Sequence, residues 1–562
     1  MDNILSSLAA HSQNFPDRPA VYFLESGEPT TITYGNLYSR AKQFAAFFRA
    51  NGLKKGSVVF LILKHHRENY EAFLGAMMAG YIPSILPFPT PKQHHGAYWD
   101  SHRKLFERVR PGYILTYDEN IEPLSTIISA ELGTKIGLVN SIVLPEGIAD
   151  SEVQDPDDAI ALLQHSSGTT GLKKGVMLTF AEIREQLSPY AERLGFSGDD
   201  IVISWLPLYH DMGLISSFLM PLIAGSSIVS IDPFEWVNNP EIFLECVESY
   251  RGTFAWLPNF AFSHIRQFVH NFGKEKRDLS SLRAVISCSE PVRATTLAQF
   301  TDFFSPWGLS ATAPQACYAM AETVFAVSQT SLEEAFKVVW VRRDKIELPS
   351  KTVELVAADV PCAVSYVSNG RPIDGLCVRI ATPLGTYMLT KGGTSPSAGE
   401  IQISGTCVFS GYYLNHADSA AAFTEDGWYR TGDVGFTVDG ELYICGREKE
   451  LLIIHGKNYY VGDIEQCVSA VPGVKPGRAV VFTVFDIESD SESCIIMAET
   501  EETDPIKLRD IKRSVKQEVY RAIVLTVRTV DLVPLGTLAK TTSGKMSRSQ
   551  NQDIWMKSRN KS

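Results

Sequence analysis

The sequence predicts an α/β protein: a large N-terminal domain of two α/β subdomains and a small β-rich subdomain, followed by a small α+β C-terminal domain. Three observations carry that expectation. Apolar runs alternate with segments of helical period as far as about Ala311, the pattern of βαβ units. Beyond Thr330 the pattern becomes an apolar–polar alternation rich in glycine. From about Glu448, strands and one amphipathic helix recur over a stretch the size of a small domain. The expected domains are therefore 1–447 and 448–562. A chain of 562 residues is too long for a single core in any case.

In chain order, Ala20 to Leu24 reads as a strand. A helix from about Tyr34 places Leu37, Ala41, Phe44, Ala45 and Phe48 on one face, and Asn51-Gly52 ends it. Val58 to Leu63, Glu68 to Ala79 and Ile82 to Leu86 then form a strand, a helix and a strand, which implies a parallel sheet covered by helices. His65, His66, His94 and His95 lack carboxylate or cysteine companions at ligand spacing, which argues against a metal site there. From about Gln154 the same grammar repeats.

The apolar strand Ala159 to Leu163 leads into HSSGTTGLKKGVM, His165 to Met177. Ser166, Ser167, Thr169 and Thr170 supply hydroxyls, Gly168 and Gly171 let backbone N–H groups close around an anion, and Lys173 and Lys174 add positive charge. That chemistry suits a triphosphate. A plain Ser/Gly-rich turn between two strands fits the loop equally well when it is taken alone. It is not a Walker loop, because the required Ser or Thr after the lysine is missing. Val176 to Leu178 reads as a returning strand. Thr179 and Glu182 then form a capping box, with Leu178 and Ile183 as a staple.

Further on, SWLPLYHDMGLI (Ser204 to Ile215) sets Pro207, His210, Asp211 and Gly213 in a turn between an apolar strand and an apolar helix. By itself His210 reads as a packed, hydrogen-bonded histidine. FAWLPNFAF (Phe254 to Phe262) is aromatic and uncharged, either core or one wall of an apolar pocket. SCSEPV (Ser287 to Val292) closes a strand with Glu290, and YAMAETV (Tyr318 to Val324) sets Glu322 among small apolar residues. A carboxylate there needs a partner, and a magnesium ion would be one. GWYRTGDVG puts Asp433 in a glycine-flanked turn, and Arg447 and Lys449 fall between two strands, where charge is usually solvated. Arg478 to Phe485 and Cys494 to Ala498 read as strands. Asp504-Pro505 caps a helix burying Ile511, Val515, Val519 and Ile523. Lys512, Arg513, Lys516 and Arg521 occupy its other face, by default a solvated one. AKTTSGKMSR puts Lys545 in a flexible turn, on its own an ordinary surface lysine.

A net charge of −12 argues against nucleic-acid binding. Nine cysteines without a CxxC pair fit reduced thiols in a cytoplasmic protein. Met1 to Pro16 has no cationic start followed by an apolar core, so no signal peptide is expected. The most apolar stretch, Phe73 to Phe88, is broken by Gly80, Pro83 and Pro87, so no membrane span is expected either.

Taken together and in order, SSGTTGLKKG, YAMAE, YRTGD, CGREKELLIIHGKN and TTSGK resemble the motifs of the acyl-adenylate-forming superfamily of acyl-CoA synthetases, luciferases and peptide-synthetase adenylation domains. SWLPLYHDMGLI, LPNFAF, DLSSLRAVISCSEPVRATTLAQF and ELLIIHGKNYYVGDIE look most like the fatty acyl-AMP ligases within it. The resemblance spans nearly the whole chain. It implies activation of a medium- or long-chain fatty acid by ATP and Mg2+, release of pyrophosphate, and transfer of the acyl group to the phosphopantetheine thiol of an acyl carrier protein.

The same resemblance implies roles. The loop Ser166 to Lys174 would hold the β- and γ-phosphates, and Glu322 the magnesium, with Thr169 or Thr170. Tyr318 would stack on adenine, with Ser289, Glu290, Ala319 and Met320 around the nucleotide. Asp433 would take the ribose hydroxyls, with Arg447 nearby. Lys545 would offset charge as the carboxylate attacks. His210 would border the acyl site, with Phe254, Pro258, Asn259 and Phe260 binding substrate. Lys449 would be the hinge of a mobile C-terminal lid, and Phe336 to Ala363 falls where an insertion disfavours CoA. Ala319 and Cys288 stand where glycines are usual, Val461-Gly462 replaces a usual Pro-Gln, and Ala539 replaces a proline. The rivals are an acyl- or aryl-CoA ligase, an amino-acid adenylating domain and a non-catalytic nucleotide-binding regulator. Ala255 and Trp256 oppose the second, since they stand where an acidic residue would pair an α-amine. Glu322 and Lys545 oppose the third.

Overall fold

The computed structural model describes residues 2–25, 29–90, 95–146, 156–165, 174–273, 275–346, 352–360, 363–383, 385–389, 393–448, 451–454, 457–486, 491–523, 525–540 and 546–559. Ser166, Ser167, Gly168, Thr169, Thr170, Gly171, Lys173, Lys449 and Lys545 lie outside the described residues.

A nine-stranded sheet runs in the order Arg371–Pro372, Ala326–Gln329, Pro314–Ala319, Ala284–Ser287, Phe254–Leu257, Ile201–Ser204, Ser227–Ser230, Pro19–Phe23 and Thr30–Thr33. The strands from Pro314–Ala319 to Pro19–Phe23 are mutually parallel. FAWL and AVIS are buried along their whole length, as strands covered on both faces must be. A second, four-stranded parallel sheet holds Ile82–Ile85, Val58–Leu61, Tyr113–Thr116 and Lys135–Leu138. The expected βαβ unit is in it, with Val58 opposite Ile82 and the helix Glu68–Met78 between.

One pairing brings distant parts of the chain together. Pro19–Phe23 pairs with Ser227–Ser230, more than two hundred residues away, so the first section supplies strands to both sheets. The buried Tyr34 hydroxyl fastens this join by donating to the Ser226 carbonyl at 2.8 Å. Thr179 caps the helix Phe180–Leu194 with both capping-box bonds made, as the sequence leads one to expect.

A five-stranded antiparallel sheet follows: Gly385–Met388, Leu376–Thr382, Gly399–Gly405, Tyr429–Val438 and Glu441–Arg447. Asp433 lies inside the strand Tyr429–Val438 rather than in a turn. Gly432 takes φ +69°, a conformation glycine adopts without strain, and the strand kinks there without ending. In the stretch Phe336 to Ala363, Val338–Arg342 pairs with Ala363–Val367. Val341 is fully buried against Val434, Phe436 and Tyr443 of the five-stranded sheet.

Toward the C-terminus, Ala479–Asp486, Ser491–Thr500 and Thr529–Pro534 form a three-stranded sheet. The helix Pro505–Ile523 buries Val515, Val519 and Ile523 against it, in a core whose residues all lie between Ile454 and Val530. Its neighbour, the helix Val461–Ser469, meets the preceding part of the chain through Arg293. That side chain pairs with Asp463 at 3.1 Å and donates to the Gly462 carbonyl at 3.2 Å. Among the described residues no helix is long and apolar enough to cross a membrane, and the cysteines are free thiols.

Candidate active site

In a parallel sheet the carboxyl ends of the strands open on one edge, where side chains from successive loops converge. Here that edge gathers Trp205 after Ile201–Ser204, Pro258 and Asn259 after Phe254–Leu257, Cys288 to Glu290 after Ala284–Ser287, and Tyr318 to Glu322 at the end of Pro314–Ala319. The five-stranded sheet faces them with Asp433.

Tyr318 donates its hydroxyl to Asp433 Oδ2 at 2.6 Å, and Arg447 Nε donates to Oδ1 at 3.0 Å. Cross-strand register sets Arg447 directly opposite Asp433. The Asp433 backbone N–H is held by Thr431 Oγ1 at 3.0 Å. Asp433 is 5% exposed, so its carboxylate is fixed by partners on both oxygens. Burial first, then the neighbouring Asp433 anion, pushes the Tyr318 phenol well above its ordinary range, which keeps it a donor. Stacking on adenine was the role expected of Tyr318. Its link to Asp433 is a feature the motif did not reveal.

Glu322 sits on the short 3-10 turn Ala321–Thr323. The next residue but one, Val324, takes φ +65° and ψ −56°, and Phe325 N–H reaches the Thr323 carbonyl at 2.7 Å. This is the γ-turn of positive φ, a strained form for a β-branched residue, and it bends the chain sharply beside the carboxylate. Tyr412 donates to Glu322 Oε1 at 2.9 Å, and Phe409 N–H donates to the Glu322 carbonyl at 2.9 Å. Burial raises the Glu322 pKa, opposed by the bonds it accepts. A half-buried carboxylate steadied by a neutral phenol, with no ion pair to it among the described residues, suits a divalent cation. Among the described residues no group of three His, Cys, Asp or Glu side chains could hold a metal ion.

Lys174, the described end of the phosphate loop, pairs with Asp418 at 3.0 Å, and its ammonium stands 4.8 Å from the centre of the Tyr412 ring.

His210 precedes the segment Met212–Leu219, which is wound as a π-helix rather than an α-helix. Met220 N–H bonds to the Ile215 carbonyl, five residues back. Ser216 and Ser217 both donate to the Met212 carbonyl, at 2.5 and 3.2 Å, which supports the wider winding. His210 Nδ1 lies 2.5 Å from Asp211 Oδ1. A Cβ on Gly213 would come within 2.3 Å of the Pro207 carbonyl oxygen, so only glycine fits that approach.

Asn259 Oδ1 accepts the Arg293 N–H at 3.1 Å, and Glu290 Oε2 accepts the Phe260 N–H at 3.1 Å, at the N-terminus of the helix Asn259–Phe272. Ser289 takes φ +67°, Ala319 ends its strand, and Met320 N–H bonds to the Phe325 carbonyl. Phe254 stands apart. It begins its strand, at the end remote from Pro258 to Phe260, fully buried against Phe196 and Trp256 as core. Sequence reasoning missed two residues, Trp205 and Trp236, whose rings stack at 3.7 Å between centroids with Phe260 edge-on to both. It also missed Tyr412. The tryptophans in SWLP and FEWV were visible as bulky apolar residues beside site motifs, whereas Tyr412 lies 90 residues from Glu322 and gave no signal.

The model of the AMP-binding enzyme family matches residues 8–413. The long-chain-fatty-acid–AMP ligase FadD26 of Mycobacterium bovis is 30% identical, over 97% of this chain and 96% of that one. The medium-chain-fatty-acid–acyl-carrier-protein ligase JamA of Moorena producens is 29% identical, over 95% of this chain and 91% of that one. A solved structure from work on the fatty acyl-adenylate ligases of E. coli and L. pneumophila superposes with a TM-score of 0.89 at 25% identity, covering 100% of this chain and 99% of that one.

Proposed function

We propose a function on one premise: the chain belongs to the family of AMP-binding enzymes. It is an AMP-forming acid ligase that activates a fatty acid with ATP, releases pyrophosphate and passes the acyl group to the phosphopantetheine thiol of an acyl carrier protein. The kinship to FadD26 and JamA along nearly the full length supports this reading. The observation that carries it is that two carboxylates of the expected motifs are each held by partners, Asp433 by Tyr318 and Arg447, and Glu322 by Tyr412.

In the first step a carboxylate oxygen of the acid attacks the α-phosphorus of ATP, and the bond to the β-phosphate breaks. Two anions meet, so fixed positive charge and donors must offset their repulsion. In this reading the loop Ser166 to Lys174 grips the β- and γ-phosphates and Lys545 serves the attacking carboxylate. Asp433 accepts the ribose hydroxyls, which orients the α-phosphate. Glu322 is the residue that would hold Mg2+, which supplies charge neutralisation on the polyphosphate when bound. In the second step the thiol sulfur attacks the acyl carbon, the bond to AMP breaks, and the thiol proton goes to solvent.

The two steps need different groups around one carbonyl. We assign them to two domains, 1–447 and a lid of 448–562 that turns about Lys449. The buried anchoring of Val341 on the five-stranded sheet supports a restraint on that turn, and with it a preference for the carrier over free CoA. His210, Pro258, Asn259 and Phe260 line the acid's side of the site in this reading. Phe254 is core and has no such part.

ATP–pyrophosphate exchange with acids of graded length tests the first step. Thioester formation on a phosphopantetheinylated carrier, run beside CoA, tests the second. Exchange with fatty acids and transfer to the carrier are expected. Rapid acyl-CoA formation, comparable with transfer to the carrier, would overturn the choice of acceptor.

A further inference from the structure

Glu322 is gripped at two points by one short segment. Phe409 N–H holds its carbonyl at 2.9 Å, and the Tyr412 hydroxyl holds its carboxylate at 2.9 Å. The same segment is paired to the strand that leaves the phosphate loop. Met177 N–H donates to the Gly411 carbonyl at 3.3 Å, Tyr413 N–H donates to the Gly175 carbonyl at 2.8 Å, and Val176 bridges Tyr412. Tyr412 is itself fixed: its N–H donates to Ser419 Oγ at 2.8 Å, and its ring packs on Phe409 at 4.9 Å. At 8% exposure the ring has no freedom to leave Glu322 without moving that strand. Lys174, the loop's described end, stands over the Tyr412 ring and pairs with Asp418.

We propose that Tyr412 is a positioning residue, which fixes the Glu322 carboxylate for a divalent cation and ties its orientation to the phosphate-loop strand. The inference rests on the reading of Glu322 as the cation-binding side chain. Tyr412 touches neither acid nor nucleotide in this scheme, and acts through Glu322 alone. Its hydroxyl donates to Oε1 and so fixes the orientation of the carboxylate. A partner that orients a metal-binding carboxylate is typically worth about tenfold or more in metal affinity.

The test is Tyr412→Phe in the full-length protein, read by equilibrium binding of Mn2+ in the presence of ATP, followed by electron paramagnetic resonance. The variant is expected to bind Mn2+ about tenfold more weakly, to bind ATP in EDTA as the wild type does, and to melt within a few degrees of it. Adding Glu322→Gln to Tyr412→Phe should weaken Mn2+ binding no further than Glu322→Gln alone. Unchanged Mn2+ affinity, or equal losses of ATP binding with and without metal, overturns the proposal. If Tyr412→Phe does not fold, Ser419→Ala removes the acceptor of the Tyr412 N–H and should weaken Mn2+ in the same direction; no change there overturns it too. Because these are binding measurements, they stand even if no acid supports exchange, which is the outcome that would sink the proposed reaction instead.

Discussion

Tyr318 and Asp433, 115 residues apart in the chain, meet through a 2.6 Å hydrogen bond in which the tyrosine donates to a carboxylate already bound by Arg447. The bond joins the last parallel strand to the antiparallel sheet, so this side of the candidate site is closed by a contact between two sheets.

Tyr318→Phe therefore loosens Asp433 while keeping the ring. A hydrogen bond to a charged group is worth about 1.5–3 kcal/mol, tenfold or more in affinity. The KM for ATP and the Kd for AMP should rise by that factor with kcat changing less. A variant whose AMP binding by calorimetry equals that of the wild type would show that the bond does not position Asp433.

Lys545→Ala should lose adenylation by about a hundredfold or more, the usual effect of removing one charge-stabilising group. Transfer from supplied acyl-AMP to the carrier should persist. Undiminished pyrophosphate release by the variant would remove Lys545 from the first step.

Burial raises the Glu322 pKa, so the fold favours its protonated form. The stability tied to that group is present at low pH and is lost as pH rises through its folded pKa. Without metal, Glu322→Gln should therefore melt above the wild type near about pH 8, and the gap should close toward about pH 4. Adding magnesium and ATP should narrow the gap at high pH by binding only the wild type well. Melting curves that run parallel across the range would contradict this.

The Arg293–Asp463 pair joins the two proposed domains with side chains only 23% and 13% exposed. Arg293→Ala and Asp463→Ala should each move the ratio of adenylation to transfer in the same direction, and raised salt should move the wild type likewise. Because Arg293 also holds the Gly462 carbonyl, the double variant should go no further than Arg293→Ala alone. Additive effects would mean that the two residues act separately.

On the helix Pro505–Ile523, Arg521 is already taken by Glu518 at 2.7 Å and Lys516 donates to the Arg528 carbonyl at 2.8 Å, which leaves Lys512 and Arg513 as the test of docking by an acidic carrier. Reversing both charges should slow transfer and spare adenylation, with a wild-type rate that falls as salt rises, since screening acts over about 10 Å at 0.1 M. Equal transfer at matched salt would leave the face merely solvated.

Much of the fold could be read from local pattern. The stripe Leu37 to Phe48, the box of Thr179 and Glu182, and the buried run FAWL each state their own environment within a few residues. What local pattern does not state is which neighbour a buried face meets. A strand was legible at Ala20 to Leu24, observed as Pro19–Phe23, but its partner Ser227–Ser230 was not. The same holds at the site. Glu322 stood out because a carboxylate among apolar residues demands a partner, and Asp433 and Tyr318 through their motifs, while the bond between those two and the part of Tyr412 appear only when the chain folds. Asp433 was expected in a turn because two glycines flank it, yet cross-strand pairing with Arg447 outweighs that local cue.

The π-helix after His210 makes chain length itself a determinant of the site. Its wide turns accommodate more residues over the same rise than an α-helix would. Deleting one residue from Met212–Leu219 would let the segment relax to ordinary winding, and each residue displaced swings a helix face by about 100°. Natural variation in this stretch should accordingly proceed by substitution at constant length, and gaps should be confined to the loops on either side.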